Sequence, residues 1–275
     1  MKPLNDTTKG VVYGLGAYTL WGSFPLYFAL FKGIPSWEVL IHRVIWSCLF
    51  LAVVISILKR WPPVVAALRQ PRRLGHVLQA SLGYFLTPLV NVAMGLLILG
   101  ERISRLQAAA VGLAAVAILY QLLLLGELPW ITLVLAFSFG TYGLMRKKVE
   151  LDGLSGLFVE TLLLLPLGLL TLAWLSSQGL SHFSDSTYSA LLLASSGAVT
   201  AIPLLAFAGA ARRSKLSTVG FLMYINPTIQ FLIALYIFHE PLSTAKLVSF
   251  VMIWVALAIY SWSAWVGRSN REASA

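Results

Sequence analysis

Charged residues are scarce in this sequence, and their scarcity excludes a soluble protein. Only 11% of the 275 residues are Asp, Glu, Lys or Arg, and 59% are apolar, whereas soluble domains contain about 25% charged and 45 to 50% apolar residues. The mean hydropathy is +0.84. What the chain does contain is a series of apolar runs that are long enough to cross a bilayer, joined by short polar links.

Cysteine and catalytic motifs are also nearly or wholly missing. The sequence has a single cysteine, Cys48, so it has no disulfide framework. Because Cys48 lies inside an apolar run, we interpret it as a small buried residue. The sequence has no GxxxxGK[ST] loop, which argues against direct drive by ATP. It has no HExxH, no GxSxG and no paired acidic motif in a span, so an intramembrane enzyme is the weaker alternative. We predict no metal site and no cofactor.

The net charge of +10 does not indicate a nucleic-acid partner. The 20 Lys and Arg residues form short clusters between the apolar runs, where such residues set membrane orientation. The expected partners are therefore the lipid bilayer and a small-molecule solute, and a homodimer is left open.

Nine apolar runs predict an all-α integral membrane protein with about nine transmembrane helices. The runs are too long and too unalternating for barrel strands, and backbone groups in lipid must be satisfied within each span. Because further spans follow it and no small-residue cleavage site appears, the first run is predicted to be a retained helix and not a signal peptide. The spans are 10–31, 37–58, 76–99, 106–125, 130–145, 157–175, 188–211, 216–238 and 246–266.

Basic clusters orient the second half but conflict in the first. RKK at 146–148, RRSK at 212–215 and the basic C-terminal end fall on one side of the spans that they flank, which predicts a cytoplasmic C-terminus. In the first half, the basic loop 59–75 and the basic turn 100–105 should share that side, yet one predicted span separates them. An even number of crossings is needed between them.

An internal duplication gives the same result. At one constant offset in residue number four pairs align: Thr87 with Asn226, Pro88 with Pro227, Asn91 with Gln230 and Glu101 with Glu240. The stretch from Gly22 to Pro88 is shorter than its equivalent from Gly140 to Pro227 by roughly 20 residues, which is about one membrane crossing. We infer that one helix is missing from the first half, between Gly75 and His76.

The predicted fold is thus an inverted 5+5 repeat plan that lacks the third helix of its first half. The repeats are 1–126, with four spans, and 127–275, with five. Inverted repeats with a site at the midplane are the architecture of secondary transporters, so we predict alternating access. Pro88 and Pro227 each remove a backbone donor and are predicted to break their helices, which is tolerated where the helix lines a cavity.

Five short motifs give the sequence a family resemblance: HRVIW at 42–46, SLGYF at 81–85, TPLVN at 87–91, LGER at 99–102 and LAFSFGTYGLMRKK at 135–148. Together they resemble the EamA family of the drug/metabolite transporter superfamily, in its RarD-like subgroup, over nearly the whole chain. The resemblance implies ten helices, cytoplasmic termini, and export or exchange of a small organic molecule, drug or metabolite, across the bacterial inner membrane. The missing helix would line the cavity of such a fold, so the alternative is a helix-deleted form that does not transport.

Ionisable groups within spans are costly and usually functional. His42 and Arg43 are the leading candidates to contact an anionic or zwitterionic solute, with Trp46 on the face of His42. The alternative for Arg43 is snorkelling to the interface, and for His42 and Trp46 it is packing. Glu160 is the one acid in a clear span and a candidate for proton coupling; an interfacial role is the alternative.

The remaining candidates are polar and aromatic residues of the spans. Two pairs four residues apart share a helix face and suit either a cavity or interhelical hydrogen bonds: Thr87 with Asn91, and Asn226 with Gln230. Three tyrosines are candidate pocket walls, with core packing as the alternative: Tyr84, Tyr142 and Tyr224. Ala108 and Gly112 form a small-xxx-small pair that suits close helix contact.

Overall fold

The computed structural model describes residues 5–68, 94–125, 140–145, 151–239 and 244–272, and the regular structure within them is helical. The helices are α1 (Asp6–Gly22), α2 (Phe24–Phe28), α3 (Ser36–Ile57), α4 (Trp61–Leu68), α5 (Arg105–Leu125), α6 (Gly153–Ser177), α7 (Thr187–Arg213), α8 (Leu216–Leu222), α9 (Ile225–Tyr236) and α10 (Thr244–Glu272). A 3-10 turn spans His182–Ser184, and residues 94–97 and 140–145 are also helical.

Four of these segments are long and apolar enough to cross a membrane. They are Ser36–Ile57, Gly153–Ser177, Thr187–Arg213 and, with α8 and α9 taken together, Leu216–Tyr236; two shorter apolar stretches lie within α5 and α10. This confirms an all-helical membrane protein. The count of nine and the inverted repeat plan stay predictions, because much of spans 76–99 and 130–145 lies outside the described residues.

Two predicted spans are each divided into two helices. The span at 10–31 is α1 followed by α2, and the span at 216–238 is α8 followed by α9. Pro227 lies in the first turn of α9 and has no N–H to donate to the carbonyl of Met223. That carbonyl instead accepts the N–H of Asn226 at 3.1 Å, so the turn tightens where α9 begins.

Helix α7 is the centre of the bundle. It packs against α1 and against α3, and α3 packs in turn against α6. Small buried residues of α7, such as Gly197 and Ala201, let the neighbouring helices approach closely. Aromatic rings fill the core beside them: Tyr142 stacks on Phe207 with 5.8 Å between ring centroids, and Tyr18 meets the same ring edge-on at 6.3 Å.

Helices α5 and α10 form a second packing unit. Ala110, Ala114 and Ala117 of α5 are fully buried in the cluster that these helices share. The ring of Tyr260 on α10 stacks on that of Phe221 on α8 with 4.0 Å between centroids, which joins this unit to the rest of the bundle.

Gly197 lies at the closest approach of α7 to α3. A Cβ at this position would lie 2.5 Å from the backbone nitrogen of Ser47, whose hydroxyl donates to the Gly197 carbonyl at 3.0 Å. We expect Gly197→Ala to lower stability by about 1 to 3 kcal/mol through overpacking, measured by thermal unfolding in detergent. Gly112→Ala is the matched control, because a Cβ there meets nothing within 4 Å. Equal losses in the two variants would contradict the close approach.

Basic residues gather at one end of the bundle. Arg212, near the end of α7, donates to the carbonyl of Leu151, which precedes α6. Asp152, the N-cap residue of α6, lies 3.8 Å from the guanidinium of Arg60, which follows α3. The end of α3, the start of α6 and the end of α7 therefore meet here, and we call this the basic end.

The turn 100–105 lies at the basic end as well. Lys215, directly after α7, donates from Nζ to the carbonyl of Arg102 at 2.8 Å. The carboxylate of Glu101 accepts the backbone N–H groups of Leu216 and Ser217 at 2.7 and 3.0 Å, and the Ser217 hydroxyl at 2.8 Å. Glu101 thus supplies the cap for α8 that Lys215, at the N-cap position, does not. The basic loop after α3 and the basic turn before α5 share one side, as their charge predicts.

Candidate functional site

A cavity of about 190 Å³ lies between α3, α6 and α7. Leucine and valine side chains form much of its wall, and its polar lining residues are Arg43, Ser47, Glu160, Thr161 and Thr200. The sequence offered Arg43 and Glu160 as separate candidates, and the structure brings both to this one cavity. Within the described residues, no group of three or more His, Cys, Asp or Glu side chains is placed to hold a metal ion.

Arg43 is held at depth within the bundle. It is the eighth residue of the 22-residue α3, and its Nε donates at 2.8 Å to the hydroxyl of Thr200, which lies midway along the 27-residue α7. Its guanidinium carbon lies 5.6 Å from the centroid of the Phe28 ring, within cation–π range. The structure therefore disfavours the snorkelling alternative. Thr200 takes one of the five guanidinium N–H donors.

Glu160 gives the same cavity a carboxylate. It lies two turns into α6 and is 5% exposed, which places it inside the bundle. Beside it, the Thr161 hydroxyl donates back to the carbonyls of Leu157 and Phe158 at 3.2 and 2.9 Å. The cavity therefore brings a guanidinium and a carboxyl group together.

His42 and Trp46 belong to a different cluster, at the end of the bundle opposite the basic end. The Trp46 indole N–H donates to Nδ1 of His42 at 3.2 Å, as their i,i+4 spacing predicted. The rings of His42 and Trp46 both stack on Phe183, with centroid distances of 5.0 and 6.0 Å. Neither His42 nor Trp46 lines the 190 Å³ cavity. The structure therefore separates these two residues from the site that contains Arg43.

Glu38 is the centre of that cluster, and the sequence analysis missed it. Its side chain is fully buried. Oε1 accepts the Ser181 hydroxyl at 3.1 Å and the backbone N–H of His182 at 2.7 Å, and Oε2 lies 2.6 Å from His182 Nδ1. The sequence does contain a pattern that could have identified it, because Glu38 precedes His42 by four residues and therefore shares its helix face. Glu38 is the second residue of the predicted span 37–58, and the sequence analysis did not weigh it as a candidate.

The other predicted residues lie elsewhere. Tyr142 is fully buried on Phe207, and Tyr224, 2% exposed, belongs to the cluster of α5 and α10. Gln230 Nε2 donates to Asn226 Oδ1 at 2.8 Å, so these two share a face as predicted. Four predicted residues lie outside the described part of the chain: Tyr84, Thr87, Pro88 and Asn91.

A larger cavity, of about 750 Å³, opens at the basic end. It is lined by α1, α3, α6 and α7, and its basic lining residues are Arg60, Arg212 and Arg213. Along α3, Leu51 lies between the residues that line the two cavities, and it is fully buried in the main core with Leu157 and Leu204. The two cavities thus lie along the same three helices, α3, α6 and α7.

Comparisons with known proteins identify the class of protein. An uncharacterized transporter of Vibrio cholerae is 41% identical over 280 positions, covering 93% of each chain. The protein RarD of Salmonella typhi is 43% identical over 279 positions, covering 93% of this chain and 95% of its own. The chloramphenicol-sensitive protein RarD of Pseudomonas aeruginosa is 30% identical over 281 positions, covering 92% of this chain and 94% of its own.

These relatives, with the apolar helices, show that the chain is a membrane transporter. More narrowly, the chain belongs to the RarD-like family of permeases, as its motifs predicted. No protein-family model matches it. A solved crystal structure superposes with a TM-score of 0.63 over 93% of this chain and 98% of its own, at 16% identity, which shows a shared fold alone.

Proposed function

We propose that the chain is a secondary-active carrier of a small anionic or zwitterionic organic solute. The observation that carries this proposal is the cavity between α3, α6 and α7, which combines Arg43 and Glu160 at depth in the bundle. Charged groups inside a membrane are costly and mark solute or ion pathways. Transporter relatives support the class, and the charges argue for the kind of solute.

The size of the cavity narrows the solute further. Pockets for drug-sized ligands span about 300 to 1,000 Å³, whereas this cavity is about 190 Å³. A metabolite with a carboxylate for Arg43, and with or without an ammonium group for Glu160, fits better than a bulky drug. One relative carries chloramphenicol sensitivity in its name, so chloramphenicol is the natural comparison solute.

The two cavities support alternating access. A carrier must expose one site to each side in turn, and the bundle has a mid-depth cavity and a second cavity at the basic end on the same three helices. On α3 the buried Leu51 lies between the residues that line the one cavity and those that line the other. Under the positive-inside rule we expect the basic end to face the cytoplasm, and with it the C-terminal end of α10, in a bacterial inner membrane.

A second candidate is a carrier that lacks one helix and does not transport, and two observations favour it. The first is the alignment with the Salmonella relative, which has 279 positions although it covers only 93% of the 275 residues of this chain. The relative therefore carries extra sequence without a counterpart here, in total roughly 20 residues, the length of one crossing.

The second observation is the number of residues between two segments that lie at the basic end. Helix α4 packs on α6 at the basic end. At the same end, the carboxylate of Glu101 accepts a hydrogen bond from the backbone N–H of Leu216, at the start of α8. Two crossings need about 40 residues, more than the 25 between Leu68 and Met94. The chain between α4 and the turn 100–105 is thus too short for the two crossings of a complete first repeat.

The proposal is tested by uptake into proteoliposomes. The chain is reconstituted as it stands and, in a second preparation, with extra sequence of the Salmonella relative inserted at the predicted deletion between Gly75 and His76. The solutes are labelled amino acids, short carboxylates and chloramphenicol. We expect saturable uptake of at least one charged solute and little of chloramphenicol. Uptake of every charged solute at the rate of empty liposomes would overturn the proposal, and chloramphenicol as the best solute would overturn its charge argument.

A further inference from the structure

The cavity of about 750 Å³ at the basic end has a wall that is both charged and apolar. Its charged lining residues are Arg60, Arg212 and Arg213 together with Asp6 and Asp152. Its volume falls within the about 300 to 1,000 Å³ that is typical of small-molecule pockets. Apolar side chains of α3, α6 and α7 form much of the remaining wall: Val54, Leu58, Leu154, Ile202, Leu205 and Ala206.

The two aspartates of this cavity do not cancel the charge of its arginines. The carboxylate of Asp6 lies 3.8 Å from Nζ of Lys9, a cation that is not among the lining residues. The carboxylate of Asp152 lies 3.8 Å from the Arg60 guanidinium and accepts the backbone N–H of Ser155 at 3.3 Å as the cap of α6. Each carboxylate is thus paired with a cation of its own, which leaves the two arginines at the end of α7 uncompensated.

Arg212 and Arg213 are the last two residues of α7, and both are held in place. Arg212 donates to the carbonyl of Leu151, and Nη1 of Arg213 donates to the carbonyl of Gly209 at 3.2 Å. The guanidinium carbon of Arg213 lies 5.3 Å from the centroid of the Tyr13 ring, within cation–π range. Among the described residues, neither arginine forms an ion pair. Because a guanidinium has five N–H donors, both side chains keep donors for an anion.

The cavity extends from the level of lipid headgroups toward the middle of the bundle. Arg60 is followed directly by Trp61, whose indole N–H donates to the Ser56 hydroxyl at 3.1 Å, and tryptophan is enriched at the membrane–water interface. On α7, Ile202 lies about 15 Å from Arg212 along the helix axis. Ile202 lines the same cavity and is 47% exposed. A ligand with an anionic group and an apolar chain would match both parts of the wall.

We propose that this cavity binds an anionic phospholipid, with the phosphate group of its headgroup held by Arg212 and Arg213. Guanidinium groups form strong paired hydrogen bonds with phosphate, and basic pockets between transmembrane helices on the cytoplasmic side bind anionic headgroups. One acyl chain lies along the apolar wall that contains Ile202. A zwitterionic headgroup brings a cation of its own, which the uncompensated arginines repel. The lipid site does not depend on transport; only its position in the inner opening of the carrier rests on the proposed function.

Native mass spectrometry of the full chain, released from detergent micelles, counts bound lipids and gives their affinity. The probes are phosphatidylglycerol, which is anionic, and phosphatidylcholine, which has the same phosphate with an added ammonium group. We expect one phosphatidylglycerol to bind more tightly than phosphatidylcholine. Arg213→Gln should weaken its binding by about tenfold or more, because a hydrogen bond between charged groups contributes about that factor. Arg105→Gln removes an exposed arginine of the same end that is not among the lining residues, and it should keep the affinity of the unsubstituted chain.

Glycerol 3-phosphate, as a third probe, separates a lipid from a soluble source of the phosphate. It has the anionic group without acyl chains, so it should not displace phosphatidylglycerol, and displacement would overturn the lipid in favour of a soluble organic phosphate. Equal affinity for the two lipids, or equal affinity in Arg213→Gln and the unsubstituted chain, would overturn the site. If Arg213→Gln does not fold, Arg212→Gln is the second variant, with the same expected loss and the same contradicting result. Because no transport is measured, each of these failures leaves the carrier proposal standing.

Discussion

In the chain that carries the inserted segment between Gly75 and His76, the substitution Arg43→Gln is expected to lower the apparent affinity for the transported solute by about 10- to 100-fold. Hydrogen bonds to charged groups contribute about 1.5 to 3 kcal/mol, and each 1.4 kcal/mol is a factor of about ten. The guanidinium is placed for this by Thr200, which accepts from Nε at 2.8 Å. Concentration-dependent uptake into proteoliposomes gives the affinity, and Arg43→Lys should keep part of it because the charge remains.

Arg105→Gln is the matched control. Arg105 is an exposed arginine at the start of α5 and is not among the residues that line the cavity. The same charge is removed from the protein, so a fall in affinity confined to Arg43→Gln reports the cavity. Equal affinity in Arg43→Gln and the unsubstituted chain would remove Arg43 from the solute site, and an equal fall in both variants would assign the effect to net charge.

The second large effect is expected from the helix insertion itself. Adding the extra segment of the Salmonella relative between Gly75 and His76 should raise saturable uptake at least tenfold over that of the chain as it stands. The reason is topological: a single crossing between the loop after α3 and the turn 100–105 would put them on opposite sides, yet they share the basic end. One additional span makes the number of crossings even.

The control insertion has the same length and composition but a scrambled sequence. It restores a crossing but not the side chains that line a cavity, so it should correct the topology without restoring uptake. Topology is read by cysteine labelling at positions 65 and 103 from each side of the membrane, with Cys48 replaced by alanine. Equal uptake by the chain with and without the relative's segment would show that the present chain is a complete carrier.

The class of fold was readable from composition, but which prolines interrupt a helix was only partly readable: the break beside Pro227 was predicted, whereas nothing in the sequence told Pro166 and Pro203 apart from it. Pro166 and Pro203 lie inside α6 and α7, which are continuous, whereas Pro227 adjoins the break between α8 and α9. All three remove one backbone donor. Whether a helix then stops depends on its neighbours, and α7 is held between α1 and α3. A sequence without its contacts does not carry that information.

Helix faces were equally hard to predict where a helix is apolar all round. Ala108 and Gly112 were predicted to make a close helix contact, and this was wrong, because both are exposed. The contact with α10 uses Ala110, Ala114 and Ala117, which have a similar spacing on another face. Arg43 and Glu160 were readable as candidates since charge inside a span is rare. Their partner Thr200 was not, because hydroxyls are common in spans.

The carboxylate of Glu101 has a consequence for the history of the two halves. It lies in the predicted first repeat, 1–126, yet the backbone groups that it satisfies belong to α8, in the predicted second repeat. A duplicated protein whose copies each closed their own helix ends would be free to lose or exchange a copy. Here a substitution in one half leaves two amide groups of the other without an acceptor. Residue 101 and the start of α8 are therefore expected to change together in related sequences.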